Sequence, residues 1–344
     1  MQKRAWANRL TRHDTAIIVT GMIRAALLTS ALLVFLGIQA SAQDTSQPPE
    51  HVAGYPNLGT GRNRVEQRKS YEMGPELTRG VPAKVMLEQR RRLDRALAGL
   101  KPQRRGTVDA YVVSIALDSD PVFAREAREA VRVLSRRYDA AGRTLVLAGP
   151  DGARDDLAQG SIDALVIALA RLSEVMDPDE DVLVLYTTSH GLDLGLVYHY
   201  GDTGYGVLSP ARFKSVLEEL GIKRRILLLS ACFSGVFLDP LSSPDTVILT
   251  AAAANRSSFG CDAENDWTFY GDALINNALR TPKPLSEAAN DAVNLVAKWE
   301  AERRLLASLP QTRIGEGVKD WLPALEARMP NTATKPVGRP AIGE

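Results

Sequence analysis

Cysteine is scarce in this sequence: two residues in 344, Cys232 and Cys261. A disulfide framework needs more, although one pair is possible in an oxidising compartment, and in that pair Cys232 could not be a resting nucleophile. No C-x2-C or comparable cluster of ligands exists to hold zinc, so neither metal nor cofactor is expected. A phosphate-binding loop is missing too, because Gly201-Asp202-Thr203-Gly204-Tyr205-Gly206 falls in a hairpin pattern and not between a strand and a helix. No fixed-period repeat occurs, which excludes a solenoid. Neither sign of charge dominates, with 42 Lys and Arg against 41 Asp and Glu. Setting aside residues 1–42, with five basic residues and one acidic, leaves 37 against 40. That balance argues against a general nucleic-acid binder.

What is present begins with a targeting pattern. Lys3, Arg4, Arg9, Arg12 and Arg24 precede the apolar run AALLTSALLVFLG, and Ala40-Ser41-Ala42 follows as a small-residue cleavage site. The expectation is a signal peptide cut after Ala42, giving a secreted or periplasmic protein; a start at Met22 gives the same export. An uncleaved anchor is the alternative, but the run is shorter than the roughly 20 residues a span needs, so no stable membrane span is expected after cleavage.

Residues 43–80 are polar and rich in Gly and Pro, read as a linker or a draped N-terminal extension. Residues 81–106 hold a helical stripe of Met86, Leu93, Leu97 and Leu100 opposite Arg90, Arg91, Arg92 and Arg95, a pattern of a solvated basic face. From 107 strands and helices alternate to 329. Five continuous apolar runs end the strand segments at Leu117, Ala148, Thr187, Ser230 and Thr250. Between them lie helical stripes through Phe123, Ala127, Ala130 and Leu134, through Ile162, Leu165 and Leu169, and through Phe213, Val216 and Leu217. Asp118-Ser119-Asp120-Pro121 and Ser209-Pro210 signal helix entry. Continuous apolar strands separated by helices predict a mainly parallel sheet covered on both faces. A long helix through Ala289, Ala292, Val296 and Trp299 follows, and residues 330–344 look like a flexible tail.

In an open parallel sheet, chemistry sits beyond the carboxyl ends of the strands. His190 follows the third strand, Cys232 the fourth, and Asn255 to Ser258 the fifth. The 42 residues from His190 to Cys232 hold one hairpin and one helix, so adjacent strands would set the two side by side. A thiol is only a few per cent thiolate at neutral pH and needs a neighbouring base or cation, which His190 supplies. Gly191 lets a backbone N–H approach a substrate carbonyl, and with the Cys232 amide it would form an oxyanion hole. Taken alone, Cys232 is the kind of residue that is merely buried; its placement opposite His190 reverses that reading. His51 falls in the extension and His199 in the hairpin, where a packing or rim role is expected.

The order of strand into Ser189-His190-Gly191, strand into Ser230-Ala231-Cys232-Phe233-Ser234-Gly235, then Ala253-Ala254-Asn255-Arg256-Ser257-Ser258, resembles the legumain-like C13 family of the caspase-like cysteine peptidases. The resemblance spans residues 107 to 280. It implies a caspase-haemoglobinase-like three-layer α/β sandwich with a mainly parallel central sheet. It also implies a cysteine endopeptidase acting on peptide or protein substrates, with catalytic Cys232 and His190 and an oxyanion site at Gly191. Ser257 and Ser258 match the family's pocket wall. The sequence departs from the family at Phe233, where an acidic residue is usual, and at Asp118, where the family places basic pocket residues. Asp118 therefore either favours a basic substrate side chain or caps the next helix. The same dyad would serve a transpeptidase, and a non-catalytic interaction protein on the same fold is the reading from another class; the sequence does not speak to oligomeric state.

Overall fold

The computed structural model describes residues 47–150 and 156–342; the expected signal segment lies outside them. The five apolar runs form the strands expected: β2 (Ala110–Ala116), β3 (Thr144–Leu147), β4 (Val182–Thr188), β8 (Arg225–Ser230) and β9 (Thr246–Thr250). All five are parallel, and β10 (Gln311–Ile314), a short strand not foreseen, closes the edge antiparallel to β9. The order across the sheet is β10-β9-β8-β4-β2-β3. β2, β4, β8 and β9 are buried along their full length, which explains why their sequences lack polar alternation.

Each face of this sheet has its own core. On one face Val112, Val184, Tyr186, Leu228 and Leu249 pack against helix α3 (Pro121–Arg137), the irregular helical turns of residues 269–280, and the C-terminal helix α6 (Leu285–Glu302). On the other, Val113, Leu185, Leu227 and Ile248 meet α2 (Ala83–Ala98), α4 (Ile162–Val175) and α5 (Pro210–Glu219). The result is the three-layer sandwich expected. α3 starts at Pro121, as Pro at a first helical turn predicts, and Ser209 caps α5 by accepting from Arg212 N.

A second, antiparallel sheet has the order β1-β7-β6-β5. The expected hairpin is β6 (Gly195–Tyr200) and β7 (Gly204–Leu208), joined to the two-residue β5 (Gly191–Leu192). Its outer strand comes from residues 43–80, the segment expected to be a linker or a draped N-terminal extension. That segment carries α1 (Arg64–Glu72), capped by Asn63, and β1 (Glu76–Thr78), paired to β7. Short elements of low hydrophobicity, stabilised by capping and by tertiary pairing, leave no periodic trace. Residues 47–60 lie across the hairpin as a strap. Ser119 Oγ donates to Pro49 O (2.8 Å), Asp202 Oδ1 accepts from Val52 N and Ala53 N (3.1 and 2.8 Å), and Tyr55 Oη donates to Gly206 O (2.8 Å).

The C-terminal segment is not the loose tail expected. Trp267 Nε1 donates to Val337 O (2.8 Å), Asn276 exchanges hydrogen bonds with Val337, and Ala341 N donates to Asp272 Oδ2. Its polar, Pro-rich sequence docks through backbone groups, which periodicity does not report.

One buried carboxyl links helix to sheet. Glu126 on α3 is fully buried, and its Oε1 accepts from Tyr186 and Thr188 of β4 and lies 3.3 Å from Ser230 Oγ of β8, while Oε2 accepts from Thr268 N and Oγ1. Replacing Glu126 by Ala leaves these donors unsatisfied in a dry interior and is expected to destabilise the fold by about 3 kcal/mol, checked by urea unfolding. A loss within error of zero would show that water or repacking serves those donors equally well.

Candidate active site

The register of the sheet brings the candidates together. β4 and β8 are paired neighbours, Thr188 opposite Ser230, so the residues two further on, His190 and Cys232, emerge side by side at the carboxyl edge. Gly191 is the point of closest approach: a Cβ there would collide with the carbonyl oxygen of Cys232, so only glycine lets the two turns meet. Just past the sulfur, Phe233 has φ 56° and ψ 11°, a left-handed conformation costing a bulky residue about 1–2 kcal/mol. Its N–H donates to Arg256 O (2.8 Å) and Gly235 N to Ala252 O (2.9 Å), fixing a sharp elbow that presents Cys232.

Cys232 is a free, partly exposed thiol. Its Sγ accepts from Ser258 N at 3.2 Å. The strongest influence on it is a hydrogen bond from the Cys261 thiol, opposed by burial and helped by the Ser258 amide, the charge of His190 and the Ser257 side chain; together they draw Cys232 down to about 6. Cys261 is pushed the opposite way, since donating to a thiolate holds its own proton. A neighbouring thiol, a backbone amide donor and a histidine charge together favour the thiolate at Cys232.

His190 has a half-open position, its side chain 42% exposed. Burial lowers its basicity, but the Asp120 hydrogen bond and the charges of Asp118, Asp120 and Cys232 outweigh that and leave it raised. Nε2 lies 3.5 Å from Asp120 Oδ2, and the Phe123 ring stands edge-on at 5.1 Å. An ionised Asp120 favours the proton on Nε2 and leaves Nδ1 as the ring's acceptor. Asp120 itself is held below the usual carboxylate range, first by its hydrogen bond to His190, against burial, and then by His51 and the other histidines.

Of the residues singled out in the sequence, Cys232, His190, Gly191, Phe233, Ser257 and Ser258 gather at one sheet edge. Ser258 acts through its backbone N–H. Asp118 is placed differently: its side chain is fully covered, and Oδ1 accepts from His51 Nε2 (2.9 Å) and from Asp120 N (2.9 Å). It therefore does not cap α3 in the expected way, since the residue at the cap position is Asp120 and its side chain makes no capping bond. Sequence reading missed four participants: Asp120, taken only as a helix-entry residue; Cys261; Glu126, which looks like one more polar residue on an amphipathic helix; and His51, dismissed with the extension. The position of Asp120 just past the end of β2, which pairs with β4, is the signal that could have found it once the strand order was known.

Residues 162–317 match the sequence model of the Peptidase C13 family. The match takes in His190, Cys232 and Ser258 and bears out the resemblance read from the motifs, while Asp118, Asp120 and Glu126 lie ahead of it. Among solved structures, the chain is similar to caspase-1 from Spodoptera frugiperda, with 14% sequence identity and a TM-score of 0.42, over 63% of this chain and 93% of that one. No curated protein sequence matches the chain. Alkylation of Cys232 by iodoacetamide should show a pH midpoint of about 6, and Cys261→Ala should move that midpoint upward, because the lost donor no longer stabilises the thiolate. An unmoved midpoint in peptide-mapped rates would remove Cys261 from the site.

Proposed function

We propose that this chain, in which residues 162–317 are of Peptidase C13 type, is a cysteine endopeptidase that hydrolyses peptide bonds of protein or peptide substrates. The observation that carries the reading is the strand register that sets Cys232 beside His190, with Asp120 Oδ2 backing the histidine at 3.5 Å. Cys232 Sγ, as the thiolate paired with protonated His190, attacks the carbonyl carbon, forming a C–S bond and an oxyanion. The Gly191 and Cys232 amides face that oxyanion in this scheme. Collapse breaks the C–N bond while His190 returns its proton to the departing amine. Water, deprotonated by His190, then attacks the thioester, and breakage of the C–S bond releases the acid and restores the thiolate beside protonated His190.

Ser257, Ser258 and Phe233 flank the sulfur and form the substrate-binding surface in this reading. Phe233 puts an apolar ring where the family usually has an acid, which argues against asparagine as the preferred side chain. An amine in place of water as acyl acceptor makes the same machinery a transpeptidase, and product masses with an added amine separate the two. Peptide-library cleavage should fall by about a thousandfold or more in Cys232→Ala and in His190→Ala. Full activity in Cys232→Ala would mean that the fold serves interaction and the cleavage comes from elsewhere.

Residues 1–42 are read, on the sequence pattern alone, as an export signal. N-terminal sequencing of the protein recovered from an exporting host should begin at Gln43; an intact Met1 or Met22 terminus on soluble exported protein contradicts the cleavage.

A further inference from the structure

Behind His190 lies a ladder of alternating imidazoles and carboxylates that the proposed chemistry does not use. His199 Nδ1 is 3.9 Å from Asp118 Oδ2, Asp118 Oδ1 accepts from His51 Nε2 at 2.9 Å, and the same Nε2 is 3.6 Å from Asp120 Oδ1. The other oxygen of Asp120 faces His190 at 3.5 Å. The third rung, His51, comes from the strap, 67 residues before Asp118. Its ring stacks on His199 with centroids 3.5 Å apart and planes 15° off parallel, and Tyr205 and Tyr55 enclose His199 on its other sides.

Two readings of this cluster fail on geometry. Asp118, His51 and His199 bring potential metal ligands within 4.8 Å of one another, but the in-plane lone pairs of stacked parallel rings run side by side and do not converge on one ion. The strap is also not a plug over the nucleophile, since with it seated Cys232 is partly exposed and the His190 side chain 42% exposed. What the strap does reach is the carboxylate pair behind the base.

We infer that His51 is a positioning residue: the N-terminal strap inserts its imidazole between Asp118 and Asp120 and thereby fixes Asp120 against His190. The inference rests on the reading of His190 as the base. Two carboxylates two residues apart repel, and Asp120, half-exposed, turns toward solvent unless something holds it. His51 holds it from the side away from His190. The strap's other anchors, Pro49 on Ser119 and Val52 and Ala53 on Asp202, set the depth of insertion. The N-terminal extension is then part of the working site.

The groups facing His51 are Asp118 and Asp120 from the β2–α3 connection, His199 and Tyr205 from the hairpin and Tyr55 from the strap itself; His190 at the end of β4 faces it across Asp120. The sign of the effect follows. Asp120 raises the basicity of His190, so loosening Asp120 lowers it, and the basic limb of kcat/KM moves to lower pH. Loss of the imidazole's positive charge alone would act the other way and raise the His190 pKa, so the direction of the shift separates positioning from charge.

The test is a titration of His190 by NMR of its ring proton, alongside the pH profile of peptide cleavage, in the full-length wild type and in His51→Ala. The chain has four histidines, which keeps the spectrum assignable. His51→Ala should lower the His190 pKa by about one unit, cut kcat/KM about tenfold at high pH with KM little changed, and be partly restored by free imidazole. Gly54→Ala, at a strap position where an added Cβ meets nothing, should match wild type. An unchanged or raised His190 pKa, or activity that rises when His51 is removed, overturns the inference. If the NMR shift appears but neither protein cleaves peptides, the positioning role stands and the peptidase reading falls; if both cleave and His190 is unmoved, the reverse holds.

Discussion

The site depends on Glu126, a carboxyl sealed beneath the carboxyl edge of the sheet. It gathers Tyr186 and Thr188 of β4, Ser230 of β8 and Thr268 of the following loop onto one side chain. Thr188 and Ser230 are each two residues from a reactive group, so one hydrogen-bonded knot sets the relative position of His190 and Cys232. Burial raises the pKa of Glu126, while the donors around it pull the other way. A polar group so deeply placed is costly unless fully satisfied, and here its satisfaction is the means by which a helix and two strands are locked in register.

From that knot outward the site is a sequence of proton-sharing pairs. The Cys261 thiol and the charge of His190 draw Cys232 toward the thiolate, Asp120 orients His190, and His51 with Asp118 restrains Asp120. Each pair draws on a different part of the chain: the 258–261 loop, the end of β4, the β2–α3 connection and the strap. The fold supplies rigid strand ends, and the added segments tune what those ends hold. The C13 match covers Cys232 and His190, while the carboxylates behind the histidine lie ahead of it in the chain.

The fold was legible because strand burial is complete. Val182 to Thr188 and Arg225 to Ser230 are apolar on both faces since helices cover both, and that pattern, unlike alternation, reads directly as a parallel sheet. Cys232 and His190 followed from topology, as residues just beyond neighbouring strand ends. What escaped was whatever depends on contact between segments far apart in sequence. His51 meets Asp118 across 67 residues, and Glu126 meets Thr268 across 142. The helix inside the 43–80 linker or draped extension leaves no pattern because it carries no buried face, and the docking of the C-terminal tail leaves none because it runs through backbone hydrogen bonds.

The central claim is that Cys232, and not Cys261, is the nucleophile of a site built to bind peptides. It is tested most directly by the mass of the intact chain after reaction with an excess of a peptidyl chloromethyl ketone, followed by mapping of the modified residue. The account predicts a single adduct on Cys232 that forms far more slowly in His190→Ala. An adduct shared between the two cysteines, or one whose rate ignores His190, would contradict it.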